Sequence, residues 1–400
     1  MDEAGPYAND PFFKFVGDPD WNACIGRQGE EENYIDGYIE AAIELVDAVI
    51  EKQMFAKRDT LVLPILYNAR HAIELALKFA TDRLVAVNVV NGNGRRRDHN
   101  IKGHWDRLSE AGIGDEKLRY TVAALEPFIE SLSRIDSDGQ ELRYHRNSDN
   151  DPSMAKYTLA NLQLIQASLR VLQRLIADLQ YRTVDFLSER ATSSYTSRCS
   201  RSDLLTIAKL MPPRDRWNRD EFDLQKSAIK ERFSLGNRQF SLALDKVQEN
   251  REMSAILGVE TPLLHLSDED IVGIVAEWRR VHPKREAPAD SSSLDYFGPG
   301  RFEAMQEHMA VLADVVTRLA EWLPAEKLAD LETAFYLGRD RIFCEYYEAS
   351  VARKRREHGV ANNPREEVRH LMEKTNFLQC LTIAATKLGR LSIAERLTEL

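Results

Sequence analysis

Three features of the chain predict an all-α protein: apolar residues recur at three- and four-residue spacings along most of its length, the alternation that marks strands is almost absent, and Pro, Gly and Ser gather into two stretches. Of the 400 residues, 43% are hydrophobic and 30% charged, enough to bury a core in each of two or three domains. The stretches RATSSYTSRCSRS, at 190–202, and HPKREAPADSSSLDYFGPG, at 282–300, read as linkers. They divide the chain into an N-terminal helical bundle at 1–189, a small helical middle domain at 203–282 and a C-terminal helical domain at 300–400.

The first helix follows from Ile35, Ile39, Ile43, Val46, Ile50 and Met54, whose spacing paints one apolar stripe. A second is expected from about Thr60 past Arg83, with Pro64 accommodated in its first turn, where backbone N–H groups lack intrahelical partners. After a loop at Asn91 to Gly94, a third spans Glu116 to Arg134. The fourth carries the clearest pattern, with Leu162, Ile165, Leu169, Leu172, Ile176 and Leu179 alternating three and four apart. Four such helices make a bundle.

Further along, SAIKERFSLGNRQFSLALDKVQ predicts helix, short turn, helix, with Phe233, Leu235, Phe240, Leu242 and Leu244 as apolar contacts. Asp245 and Glu249 on its second helix argue against a basic reading head for DNA. The C-terminal domain opens on a seam of Phe302, Met305, Met309, Leu312, Val316 and Leu319, and then presents Phe335, Tyr336, Phe343, Tyr346 and Tyr347 as core or a dimer face.

Composition narrows the function. A formal charge of -10 excludes a globally basic nucleic-acid coat, while Arg95 to Arg97 and the run Arg353 to Arg356 stay open as local phosphate contacts or as a solvated helix end. Cys24, Cys199, Cys344 and Cys380 are scattered, so neither a disulfide framework nor a zinc site is expected. No phosphate-binding glycine loop or metal-ligand constellation stands out, and no cofactor is expected. No apolar run reaches the roughly 18 residues of a membrane span, and no leader peptide is visible, so a cytoplasmic location is expected.

The most informative residues lie inside the second helix. Arg70, Glu74 and Lys78 fall four apart on one stripe with His71 beside them, set among Leu66, Ile73 and Leu77. Charged residues in a core helix are either an i,i+4 ladder or the wall of a functional pocket.

The string RHAIELALK on that helix, the segment HNIKGHWDRL after the loop, and IDSDGQELRYHRN ahead of the last long helix together resemble an HEPN-like domain over residues 30–180. The family is a bacterial helical-bundle superfamily that includes toxin and defence ribonucleases. The resemblance implies an up-and-down bundle, homodimerisation and, in active members, metal-independent RNA cleavage by an Arg followed four to six residues later by His. Many members lack that pair and serve as non-catalytic binding or partner domains. Such chemistry needs a base for the 2′-OH proton and a cation for the phosphorane, which His and Arg supply.

Arg143 and His145 stand where the family carries its motif, with a single residue between them. Arg97 and His104 have the arithmetic spacing but lie after the second helix, and Arg353 and His358 lie outside the region of resemblance. The catalytic set expected is therefore Arg143, His145 and His99, with His145 as acid or base and Arg143 on the scissile phosphate. Substrate binding falls to Arg70, Glu74, Lys78, Arg97 and His104. The competing expectation for the same residues is structural: His99, His104 and Trp105 packed on the second helix, and Arg143 to His145 in a loop fixed by Asp136 and Asp138. In that case the bundle is a non-catalytic scaffold that binds a protein partner or a second copy.

Overall fold

The computed structural model describes residues 10–13, 19–26, 29–92, 98–147, 150–284, 301–360 and 363–400. Helix is the only extended regular element among them, and the sole β feature recorded is an isolated bridge between Arg146 and Pro152. The chain divides into two compact units, one built from residues up to 187 and one from Ser188 onward together with 114–116. None of the described helices is long and apolar enough to cross a membrane.

In the first unit, α1 (Glu31–Glu51) turns Ile35, Ile39, Ile43, Val46 and Val49 inward. The helix α2 (Arg58–Ala86) runs alongside it and buries Ile65, Ile73, Leu77, Phe79 and Leu84. Each such side chain withdrawn from water contributes about 1.5–3 kcal/mol, so the stripe alone explains why these segments pack. Pro64 is not in the first turn, because α2 begins at Arg58. It sits on the exposed side, where the carbonyl its ring leaves unbonded faces water.

Residues 101–109, for which no helix was expected, form α3 (Ile101–Ser109), capped by Asn100, whose side chain accepts from the Gly103 N–H at 3.0 Å. The predicted third helix is two: α4 (Glu116–Ala124) and α5 (Glu126–Ile135) break at Leu125, because Pro127 opens a new helix in its first turn and cannot continue the old one. The long α6 (Leu162–Arg190) closes the unit, with Leu169, Leu172, Ile176, Leu179 and Phe186 in the shared core. Asp47 of α1 ties it down by accepting from Gln166 at 2.7 Å and from Arg170.

The stretch at 190–202 is not a slack linker. Thr196 Oγ1 accepts the backbone N–H groups of Arg198 and Cys199, Cys199 is buried, and Ser200 with Asp203 forms the capping box of α7 (Arg201–Leu210). The helices α8 (Asp220–Arg232), α9 (Asn237–Glu249) and α10 (Arg251–Ile256) join α7 around one core that holds Phe233, Leu235, Phe240 and Leu244. Leu242, expected in that core, is exposed.

A separate core begins with α11 (Asp268–Val281), so the division between cores falls near 258–265 and not at the Pro- and Ser-rich stretch, most of which lies outside the described residues. It takes in α12 (Arg301–Trp322), α13 (Ala325–Arg339), α14 (Tyr347–Val360), α15 (Pro364–Met372), α16 (Phe377–Lys387) and α17 (Leu391–Glu399). On α12 only the later half of the predicted seam is buried; Phe302, Met305 and Met309 face solvent. Packing of α13 against α16 is close enough to require Gly338, since a Cβ there would fall 1.9 Å from the Cys380 carbonyl oxygen.

Candidate functional site

Tyr67, His71, Glu74 and Lys78 lie at successive four- and three-residue steps of α2 and so share one face. The network around them begins with Arg70, 1% exposed. Its Nε donates to the Asp136 carbonyl at 2.9 Å, Nη1 donates to Glu74 Oε2 at 3.2 Å, and Nη2 donates to the carbonyls of His99 and Ser137. The guanidinium thus joins α2 to two loops, the one before α3 and the one after α5.

The second loop is a turn built on Asp136. Its Oδ1 accepts the N–H groups of Gly139 and Glu141, and its Oδ2 accepts that of Leu142. Asp138 accepts from the Gln140 N–H. Gly139 needs to be glycine twice over: its φ is +82°, and a Cβ would meet Arg70 Nη1 at 3.3 Å, His99 Cβ at 3.6 Å and Arg143 Nη2 at 3.7 Å. His99 and Arg143, distant in sequence, therefore flank the same point.

His99 is held at both ends. Its carbonyl takes Arg70, and its Nδ1 lies 2.9 Å from Glu74 Oε1. An ionised carboxylate only accepts, so Nδ1 carries a proton, and in the neutral ring the lone pair is then on Nε2. The His99 side chain is 52% exposed while that of Glu74 is 2% exposed, so the carboxylate is sealed and the imidazole is open. Burial by itself pushes Glu74 towards its neutral form, but hydrogen bonds from Lys78, at 2.6 Å, and His99 outweigh it and hold the carboxyl below the usual range.

Arg143 is exposed; its Nε donates to the Gly139 carbonyl and its guanidinium lies 5.8 Å from the Tyr67 ring centre and 5.2 Å from that of Tyr144. His71 stacks on Tyr67 and meets Tyr38 of α1 edge-on. Burial, followed by the charges of Lys78 and Arg70, lowers its pKa against the opposing pull of Glu74, so the ring is neutral at neutral pH.

The residues expected to form the site separate accordingly. His99 and Arg143 come together. Arg70 and Glu74, expected to touch substrate, are buried and their polar atoms engaged, so they position other groups. Lys78 is partly exposed beside Glu74. His104 is buried, with Nε2 3.1 Å from the Asp98 carbonyl, and Trp105 donates to the Val122 carbonyl at 2.6 Å; both hold α3 in place. His145 is exposed, and no described side-chain contact ties its imidazole to the cluster. Arg97 lies outside the described residues. Sequence reading missed Gly139 and Tyr67 as site residues. The Asp136-x-x-Gly139 turn signature was the available signal for the first, and Tyr67 carried none.

Among the described residues no group of three or more His, Cys, Asp or Glu is arranged to hold a metal ion. Set against known proteins, the chain matches no family model, no curated protein and no solved structure.

Proposed function

We propose that the N-terminal unit is a metal-independent endoribonuclease of the HEPN-like kind, acting on RNA in bacterial defence or as a toxin. The observation that carries this reading is the Glu74–His99 pair, a sealed carboxylate bonded to an open imidazole, with the Arg143 guanidinium across Gly139. His99 Nε2 takes the 2′-OH proton, the 2′-oxygen attacks phosphorus, and the P–O5′ bond breaks, leaving a 2′,3′-cyclic phosphate and a 5′-hydroxyl that receives the proton back. Arg143 neutralises the charge that builds on the phosphoryl oxygens. Glu74 fixes the tautomer and stabilises the imidazolium. His99 takes the role that the sequence assigned to His145, because His99 is the imidazole with an orienting carboxylate.

The test is the full chain incubated with RNA in the presence of a chelator, beside His99→Ala, Arg143→Ala and His145→Ala. The expected result is cleavage to cyclic-phosphate ends, abolished in the first, strongly reduced in the second and retained in the third. An inert wild type, or a His99→Ala variant as active as wild type, overturns it. The second reading, a non-catalytic bundle that binds a protein partner or a second copy, is favoured by Arg70, every nitrogen of which is engaged in holding the fold. It predicts no cleavage by any variant.

A further inference from the structure

The cleavage proposed for the N-terminal unit ends with a proton on the departing 5′-oxygen, and that proton needs a donor. Attack and departure run roughly in line, so the 2′- and 5′-oxygens stand on opposite sides of phosphorus. His99 is tethered at its carbonyl by Arg70 and at Nδ1 by Glu74, which leaves Nε2 alone to face the substrate from one fixed direction. An imidazole held in this way reaches the first oxygen and not the second.

Lys78 has the chemistry and the position to supply the missing proton. Its ammonium lies 2.6 Å from Glu74 Oε1, the same atom that His99 Nδ1 meets at 2.9 Å, so a cation and a base stand side by side on one buried carboxylate. The Lys78 side chain is 29% exposed, against 2% for Glu74. An ammonium carries three N–H groups, and the bond to Glu74 is the one that Lys78 makes among the described residues.

The other groups of the cluster are less suited. Arg70 and Arg143 carry guanidiniums, which do not give up a proton in a protein. His71 is a neutral ring packed against Tyr38 and Tyr67. Tyr67 and Tyr144 meet Arg143 through their rings, and no described side-chain contact ties His145 to the cluster.

We propose that Lys78 is the general acid of this site, an inference that rests on the ribonuclease reading above. As His99 Nε2 takes the 2′-OH proton and the 2′-oxygen bonds to phosphorus, the P–O5′ bond breaks with its electron pair on O5′, which takes a proton from the Lys78 ammonium. The immediate products are the 2′,3′-cyclic phosphate, the 5′-hydroxyl, an imidazolium and a neutral amine. Water removes the proton from His99 and, because Lys78 is partly open to solvent, restores its ammonium. The proton lost at O2′ is thus made good at O5′ by way of solvent and Lys78. Glu74 joins the two halves of the step: it stabilises the imidazolium as it forms and favours return of the amine to its charged state.

The experiment compares rates of the full chain, with a chelator present, on two oligonucleotides carrying the linkage that the wild type cuts, one natural and one with sulfur in place of the bridging 5′-oxygen. A thiolate leaves without a proton, so the second substrate bypasses the acid and still needs the base. Lys78→Met is expected to lose about a hundredfold on the oxygen linkage and less than about threefold on the sulfur linkage. Lys78→Arg keeps the charge and a hydrogen bond for Glu74 but has no proton to give, and is expected to stay at least about tenfold slow on oxygen and close to wild type on sulfur. His99→Ala is expected to lose activity on both. Full activity of Lys78→Arg on the oxygen linkage, or equal losses of Lys78→Met on the two linkages, means that Lys78 only holds Glu74 in place; either result overturns the inference and leaves the ribonuclease reading standing. A wild type that cuts no linkage overturns that reading and the inference with it.

Discussion

Each unit of the molecule contains a lysine and a histidine that both meet one glutamate, and the two triplets differ in ways that decide what they can do. In the first unit Lys78 and His99 lie 2.6 and 2.9 Å from the same oxygen of Glu74, Oε1. In the second, Lys354 and His358 lie 2.7 and 2.9 Å from Oε1 and Oε2 of Glu332 respectively. Both carboxylates are sealed. His99, however, belongs to a loop at the edge of its unit and is 52% exposed, whereas His358 stands on a helix with its side chain 8% exposed. The alignment differs as well: His99 makes a hydrogen bond, while His358 Nε2 and Glu332 Oε2 are close but out of line for one. An imidazole becomes available for proton transfer when the element carrying it lets one nitrogen reach the carboxylate and turns the other outward. The same three residue types on two packed helices give a strut.

The largest effect expected from breaking this contrast belongs to the bolt under the first triplet. Arg70→Ala leaves Glu74 and Asp136 facing each other without the guanidinium and several carbonyls without a donor, and is expected to cost about 3–5 kcal/mol. Thermal unfolding followed by circular dichroism should show the transition of the N-terminal unit at a much lower temperature; a shift of only a degree or two means that the cluster contributes little to the fold. Next come the glutamates themselves. Glu74→Gln is expected to lower the rate of RNA cleavage by about a hundredfold, because an amide no longer stabilises the imidazolium. Glu332→Gln is expected to leave cleavage unchanged while lowering stability by about 1–3 kcal/mol. Equal loss of activity in both variants erases the distinction between the triplets.

Why part of this was legible in the chain, and part was not, follows from the range of the interactions. The stripes of α1 and α6 are local, since an apolar residue every third or fourth position needs a core whatever that core contains. The division of Glu116–Arg134 at Pro127 was equally local and readable in principle. Arg70, Glu74 and Lys78 announced themselves as an anomaly within an apolar helix, but their spacing could not reveal that Arg70 faces inward to Asp136 and His99, which lie 66 and 29 residues away. His145 was favoured over His99 for the same reason. Proximity to Arg143 in sequence is visible, while proximity across Gly139 is made by the fold.

An intermediate effect is expected at that glycine. Gly139→Ala combines a left-handed backbone with a methyl group 3.3 Å from Arg70 Nη1, and is expected to destabilise by about 1–2 kcal/mol. It is also expected to move His99 and Arg143 apart, so cleavage should fall more than stability does. An alanine variant with undiminished activity separates those two residues from any common site.

The smallest effect concerns pH, where the two units again differ. Glu74 is held below the ordinary carboxylate value of 4.5, so its contribution is present above that value and is lost as pH falls through the folded one. Asp330, in the second unit, is raised by burial, against hydrogen bonds from Tyr347 and from the N–H groups of His265 and Leu266. It favours the fold below its ordinary 3.8 and loses that contribution as pH rises through its folded value. Acidification therefore weakens the Glu74 cluster while relieving Asp330. His71 adds to the first trend. Its folded pKa is lowered by burial from 6.5, so the unfolded chain takes up a proton before the folded one does, and stability declines as pH drops below that value. In His71→Phe, which keeps the stack on Tyr67 without a titrating ring, the unfolding temperature of the N-terminal unit should change less between pH 7.5 and 5.5 than in wild type. Identical slopes in the two proteins would mean that His71 does not carry the pH dependence of this unit between pH 7.5 and 5.5, a window that lies above the range in which Glu74 titrates.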